Sequence, residues 1–232
     1  MAHALRMMVL LLLIGCSPAL AWGLSIGQRD TFEDGTTDGW VVALGGAPHP
    51  APPVNEPTGG PTGIGDNYLK LTAIGGSGPG SELVAINIGQ WRGDFIEAGI
   101  SGVAMDVKNF GPNDLSLRLV FSDPSGGPPV NVAFSTIPYF LPAGRGWISI
   151  LFPITPADLT AGSGSVTAAL HNTTALRLYD SADADFPGDP TVAVLGVDNI
   201  TATPEPTSAV LLGSGPLALY SLKTWRGRKP RA

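Results

Sequence analysis

Leu115-Ser-Leu-Arg-Leu-Val-Phe121 decides the fold class. Leu115, Leu117, Leu119 and Phe121 fall at every second place, with polar Ser116 and Arg118 between them. A period of two is that of an extended strand with one face buried and the other wet; a helix would repeat every third or fourth residue. The run is preceded by Asn109-Phe-Gly-Pro-Asn113, which carries turn chemistry. Working outward, the same signals predict strands over Asp30–Glu33, Trp40–Leu44, Tyr68–Ile74, Leu83–Ile88 and Val103–Val107. Further strands are predicted over Val130–Phe134, Trp147–Phe152, Ala175–Tyr179 and Val192–Ile200. No stretch of ten or more residues repeats at 3.6. Many short strands punctuated by glycine and proline (31 and 22 of 232 residues) predict an all-β antiparallel sandwich of the jelly-roll kind. Trp40 and Trp147 lie inside apolar runs and are expected in its core. Gly45–Asp66 has no strand pattern and is expected to be a long surface loop.

The two ends read differently from this body. Met1–Arg6 carries a basic residue, Met7–Ile14 is apolar, and Ala19-Leu-Ala21 is a small-residue cleavage site, the order of a secretory signal peptide covering residues 1–21. Leu13-Ile-Gly-Cys16 offers a rival cut with Cys16 as a lipidated residue. Cys16 is the only cysteine, so disulfides are excluded. All 19 acidic residues lie between Arg29 and Glu205, and this stretch, Arg29 included, holds seven of the 13 basic ones. So acidic a body argues against nucleic acid as partner. The last ten residues hold Lys223, Arg226, Arg228, Lys229 and Arg231 and no acid; beside an apolar run, such a block is a membrane orientation signal.

Thr203-Pro-Glu-Pro206, the run Thr207-Ser-Ala-Val-Leu-Leu-Gly-Ser-Gly215 continuing to Leu222, and the basic tail together resemble a PEP-CTERM sorting signal over residues 203–232. The sequence departs from that pattern at Pro216, inside the expected membrane helix, and in a more dispersed basic cluster. The resemblance implies that Pro204, Glu205 and Pro206 are read by an exosortase. It implies transient inner-membrane contact through a short C-terminal helix, then display at the surface or in the matrix of a Gram-negative, polysaccharide-producing bacterium.

Four stretches spread over residues 22–202 resemble galactose-binding-like jelly rolls of the laminin-B-like type. They are Asp30–Trp40, Gly65–Thr72, Trp147–Pro153 with Ala157–Leu159, and Leu195–Ile200. Relatives of that type often hold one structural Ca2+ between the first and last strands. By resemblance Glu33 and Asp198 would supply its carboxylates, with Asp30, Asp34 and Asp66 as helpers, because calcium takes six to eight oxygens.

Catalytic chemistry has little support. Gly-x-Ser-x-Gly does not occur, and neither His49 nor His171 has a His or Cys at metal-ligand spacing. The Asp180–Asp189 acids lack the order of a calcium loop and read as solvated loop charge. Trp91 leaves the apolar pattern where Arg92-Gly-Asp94 begins a loop, and Tyr139 lies between Pro138 and Phe140. These two rings are the candidates for a sugar-stacking platform, with Arg92 and Asp94 to bond sugar hydroxyls; packing in the core is the other reading of each ring. The leading expectation is a non-catalytic surface or matrix protein contacting extracellular polysaccharide. A secreted polysaccharide hydrolase or lyase, and a purely structural matrix component, stay open beside it.

Overall fold

The alternation in Leu115–Phe121 becomes strand β6 (Leu115–Asp123). Leu115, Leu117, Leu119 and Phe121 point into the main core. The face expected to be wet is covered too, with Arg118, Val120 and Ser122 buried beside a second cluster of Val132, Phe134 and Tyr179. A computed structural model describes residues 23–45, 48–78, 81–124 and 128–204. The signal segment, Cys16, Glu205, Pro206 and the tail lie outside those residues; Pro204 ends the last strand. Among the described residues no helix is long and apolar enough to cross a membrane.

Two antiparallel sheets face each other. The first runs β2 (Val54–Glu56), β3 (Tyr68–Ile74), β12 (Val192–Pro204), β5 (Ile100–Asn109), β9 (Ile148–Pro153), and β1 (Arg29–Asp30) pairs with the far end of β12. The second runs β10 (Leu159–Ser163), β7 (Asn131–Ser135), β6, β11 (Ala175–Asp180), β4 (Val84–Asn87), and β8 (Tyr139–Leu141) pairs with β6. This is the predicted all-β antiparallel sandwich. Leu69 and Leu71, Val103, Met105 and Val107, and Leu195 and Val197 point inward from the first sheet, against Leu117, Leu119, Leu176 and Leu178 of the second. Each such side chain contributes roughly 1.5–3 kcal/mol on burial, which is why a one-residue slip in any pairing is not tolerated.

The parity of β12 changes once. A bulge between Asp198 and Thr201, with Asn199 at φ 55°, lets both Val197 and Ile200 reach the core and leaves Asp198 in the outward register position opposite Asp106.

Several expectations are corrected. The first strand is Arg29–Asp30 only, because Phe32 (φ 60°) turns the chain at once. Trp40–Leu44 is no strand; only Val41 bridges, to Ile86. Gly45–Asp66 contains β2, which pairs with β3. The short elements β2, β8, β10 and helix α1 (Val166–His171) were not legible, being too brief for a period to show. Asp180 is not solvated loop charge: it is buried, and its Oδ1 accepts the Ser116 amide at 2.6 Å.

Candidate ligand platform and cation site

The outer face of the first sheet carries an aromatic cluster. By register, Lys70 of β3, Gly196 of β12 and Lys108 of β5 form one row across three adjacent strands. Gly196 has no side chain to fill the middle of the row, and the rings of Trp147 and Phe110 settle there. A Cβ at position 196 would lie 2.8 Å from the Trp147 ring and 2.9 Å from Phe110. Tyr68, the first residue of β3, stacks on Phe110 with centroids 5.8 Å apart and meets Trp147 edge-on at 5.3 Å. The Trp147 indole N–H donates to the Gly59 carbonyl at 2.9 Å, which ties the β2–β3 loop beside the rings. Phe110 remains 41% exposed, and Trp147 is half-buried outside the core rather than in it as expected. Tyr68 shares strand parity with Lys70 and Thr72, so its outward position was legible; Phe110 was hidden inside a turn motif and Trp147 inside an apolar run.

The sequence-predicted binding residues do not form one site. Trp91 is fully buried, and its indole N–H donates to Asp30 Oδ2 at 2.7 Å, so it is no exposed platform. Trp40 donates to the same oxygen at 2.8 Å and Gln90 lies at 3.1 Å. Tyr139 is half-buried on β8 and packs against the core. Arg92 and Asp94 do meet, in a shallow polar pocket of ≈ 500 Å³ shared with Asp123, His171 and Thr173. Asp94 Oδ2 lies 2.6 Å from His171 Nδ1, a neighbour that sequence spacing could not show. Tyr139 lines a different groove, with Ile137 and Leu151.

Glu33 and Asp198 are brought into one electrostatic neighbourhood. Asp198 is only 1% exposed. Burial pushes its carboxyl up to about 7, with repulsion from Asp66, Asp106 and Glu33 adding to that and the Asn199 amide opposing it. Asp106, which the sequence did not point to, stands directly opposite Asp198 and is held by Ser149 and by Asn199 Nδ2 at 2.7 Å. Like charges directly opposite on a sheet repel. Of the proposed helpers, Asp66 belongs to this group. Asp30 is engaged by the two indoles and Gln90, and Asp34 caps the Thr36 turn at 2.8 Å. In donor chemistry the set is of the kind calcium takes, hard oxygens around an acid that burial first, and repulsion second, disfavours in its charged form. Among the described residues no three acid, imidazole or thiol groups stand at metal-binding spacing, and Glu33 Oε1 accepts the Asn67 amide at 3.1 Å.

No protein-family model matches the sequence, and no curated protein matches it. Solved structures do. The body is similar to a family 11 carbohydrate-binding module from Clostridium thermocellum, solved in complex with a β-1,3-1,4-mixed-linked tetrasaccharide. That match has 14% identity and TM-score 0.50, over 78% of this chain and 97% of that one. It is similar to part of an exo-β-agarase at 15% identity and TM-score 0.53, over 78% of this chain and 26% of that one. A third similar structure is a carbohydrate-binding module specific for non-crystalline cellulose, with 16% identity, TM-score 0.45, and coverage of 78% and 97%. On the first of these likenesses, the chain has the β-sandwich fold of the family 11 carbohydrate-binding module.

Proposed function

We propose that this chain is a non-catalytic polysaccharide-binding protein of the bacterial surface. The observation that carries the reading is the pair Phe110 and Trp147 laid over Gly196 on an outer sheet face, backed by the buried ring of Tyr68. Aromatic rings there offer apolar area at low entropic cost to the apolar face of a pyranose, and neighbouring polar groups fix its orientation. The fold shared with carbohydrate-binding modules supports the reading but does not assign the ligand. Affinity electrophoresis of the purified full chain in gels containing mixed-linkage β-glucan, agarose or the producer's own polysaccharide tests it. Trp147→Ala and Phe110→Ala are each expected to weaken retention by on the order of tenfold, since ring stacking is worth about 0.5–1.5 kcal/mol beyond area burial. Circular dichroism should be unchanged. Retention that survives both substitutions would put the site elsewhere.

The export and anchoring readings are part of the same proposal. The signal segment sends the chain out, and Pro204-Glu-Pro206 with its apolar and basic tail is the mark for an exosortase. The tail holds the chain briefly at the inner membrane before release to the surface. Intact mass spectrometry of surface material should then show a chain ending near Pro206; a mature species ending at Ala232 overturns this part. A single Ca2+ held through Glu33 and Asp198, with Asp66 and Asp106 beside them, would supply the positive charge that this acid group lacks, and would tie the start of the sandwich to its last strand.

A further inference from the structure

The platform lies in an acid-rich chain, yet three of the chain's few cations are placed around it. Between Asp30 and Glu205 there are six basic residues, and three of them are here. Lys70 and Lys108 flank Gly196 in register. Arg145 stands two residues before Trp147, and its carbonyl accepts the Asn109 amide at 3.0 Å, next to Phe110. Lys70 is paired with Glu56. Lys108 is not paired: its Nζ lies 4.2 Å from the centroid of the Phe110 ring. Among the described residues, neither Lys108 nor Arg145 has a carboxylate within ion-pair distance, although the chain has 19 acids to 13 bases. The outward acid nearest on β5, Asp106, is occupied by Ser149 and Asn199.

A cation left without a counter-charge in such a chain is available to a ligand; Lys108 lies over the Phe110 ring, so a sugar that stacks there displaces the ammonium to the sugar's own edge. We propose that the ligand of this platform is an acidic polysaccharide, one whose pyranose rings bear carboxylates. The inference rests on the platform reading above and specifies its substrate class. The apolar ring face lies on Phe110 and Trp147, and the ring carboxylate meets Lys108 and Arg145. Charge pairs this exposed are individually weak and are screened by salt, so the signature is a salt-sensitive preference rather than an absolute requirement.

The full chain should be titrated with polygalacturonate and with its fully methyl-esterified form, which keeps the sugar backbone and removes the charge. At low salt, polygalacturonate is expected to bind on the order of fivefold or more tighter than the ester. At about 0.5 M NaCl, where the Debye length is a few ångströms, the preference should vanish. The double variant Lys108→Gln/Arg145→Gln should bring the ratio of the two affinities to one even at low salt. Equal binding of the acid and the ester, still lost in Trp147→Ala, overturns the acidic ligand and leaves the platform standing. A preference for the acid that persists in the double variant also overturns the inference, because the charge is then read elsewhere. Binding of neither polymer, together with Trp147-dependent retention on a neutral glucan, likewise rules out an acidic ligand; retention on no polysaccharide at all removes the platform reading itself.

Discussion

Trp91→Ala should unfold the sandwich rather than blunt a binding surface. The ring is 0% exposed, and truncating a buried tryptophan costs roughly 3–5 kcal/mol. That is comparable to the whole stability of a marginal domain. A second cost comes through Asp30. Its carboxyl is raised by burial and held down by hydrogen bonds from Trp91, Trp40 and Gln90, in that order of size. Without the Trp91 indole, a buried carboxylate loses its strongest donor. Trp91→Phe separates the two effects: it keeps most of the volume, removes the N–H, and is expected to cost about 1–3 kcal/mol. Urea unfolding followed by circular dichroism measures both. An unchanged midpoint in Trp91→Ala would show that the ring is not held in the core.

The second large effect concerns Asp198. Its carboxyl titrates near 7 in the folded chain and near 4 when unfolded. Between those values the native state keeps a proton that the unfolded chain has released, so stability falls as pH rises from about 4 to about 7. At about 1.4 kcal/mol per pKa unit the loss amounts to a few kcal/mol in chelator. Asp198→Asn should remove the largest part of this pH dependence, leaving the share of Asp30, Asp38 and Asp180, whose carboxyls burial also raises. Calcium, binding only the folded chain, should raise the melting temperature of the wild type above pH 7 and have little effect on Asp198→Asn. Identical melting curves at pH 8 with calcium and with chelator would remove the cation from the account.

What was legible was set by local geometry. Tyr68–Ile74 is a strand with the bounds its alternation predicted, and Leu115–Phe121 buries the residues its period selects. Strand parity is a property of neighbouring residues, so it survives whatever the rest of the chain does. The opening motif failed because Phe32 at φ 60° and the turn residues after it end the strand early, which no period of two can report over four residues. Trp91 misled for a different reason. A polar neighbourhood in sequence looked like a surface, but its partner Asp30 is remote along the chain and meets it only in the folded state.

The sequence by itself determined the all-β sandwich and which residues of the long strands face the shared core, but not that the other face of β6 is covered as well. It also determined that the body is acidic. The tertiary structure alone decided that Tyr68, Phe110 and Trp147 meet over Gly196, that Lys108 and Arg145 stand beside them, and that Asp106 opposes Asp198. These juxtapositions depend on which distant strands pair and in which register. Burial of the two apolar faces settles that pairing for the chain as a whole, and no short window of residues contains it.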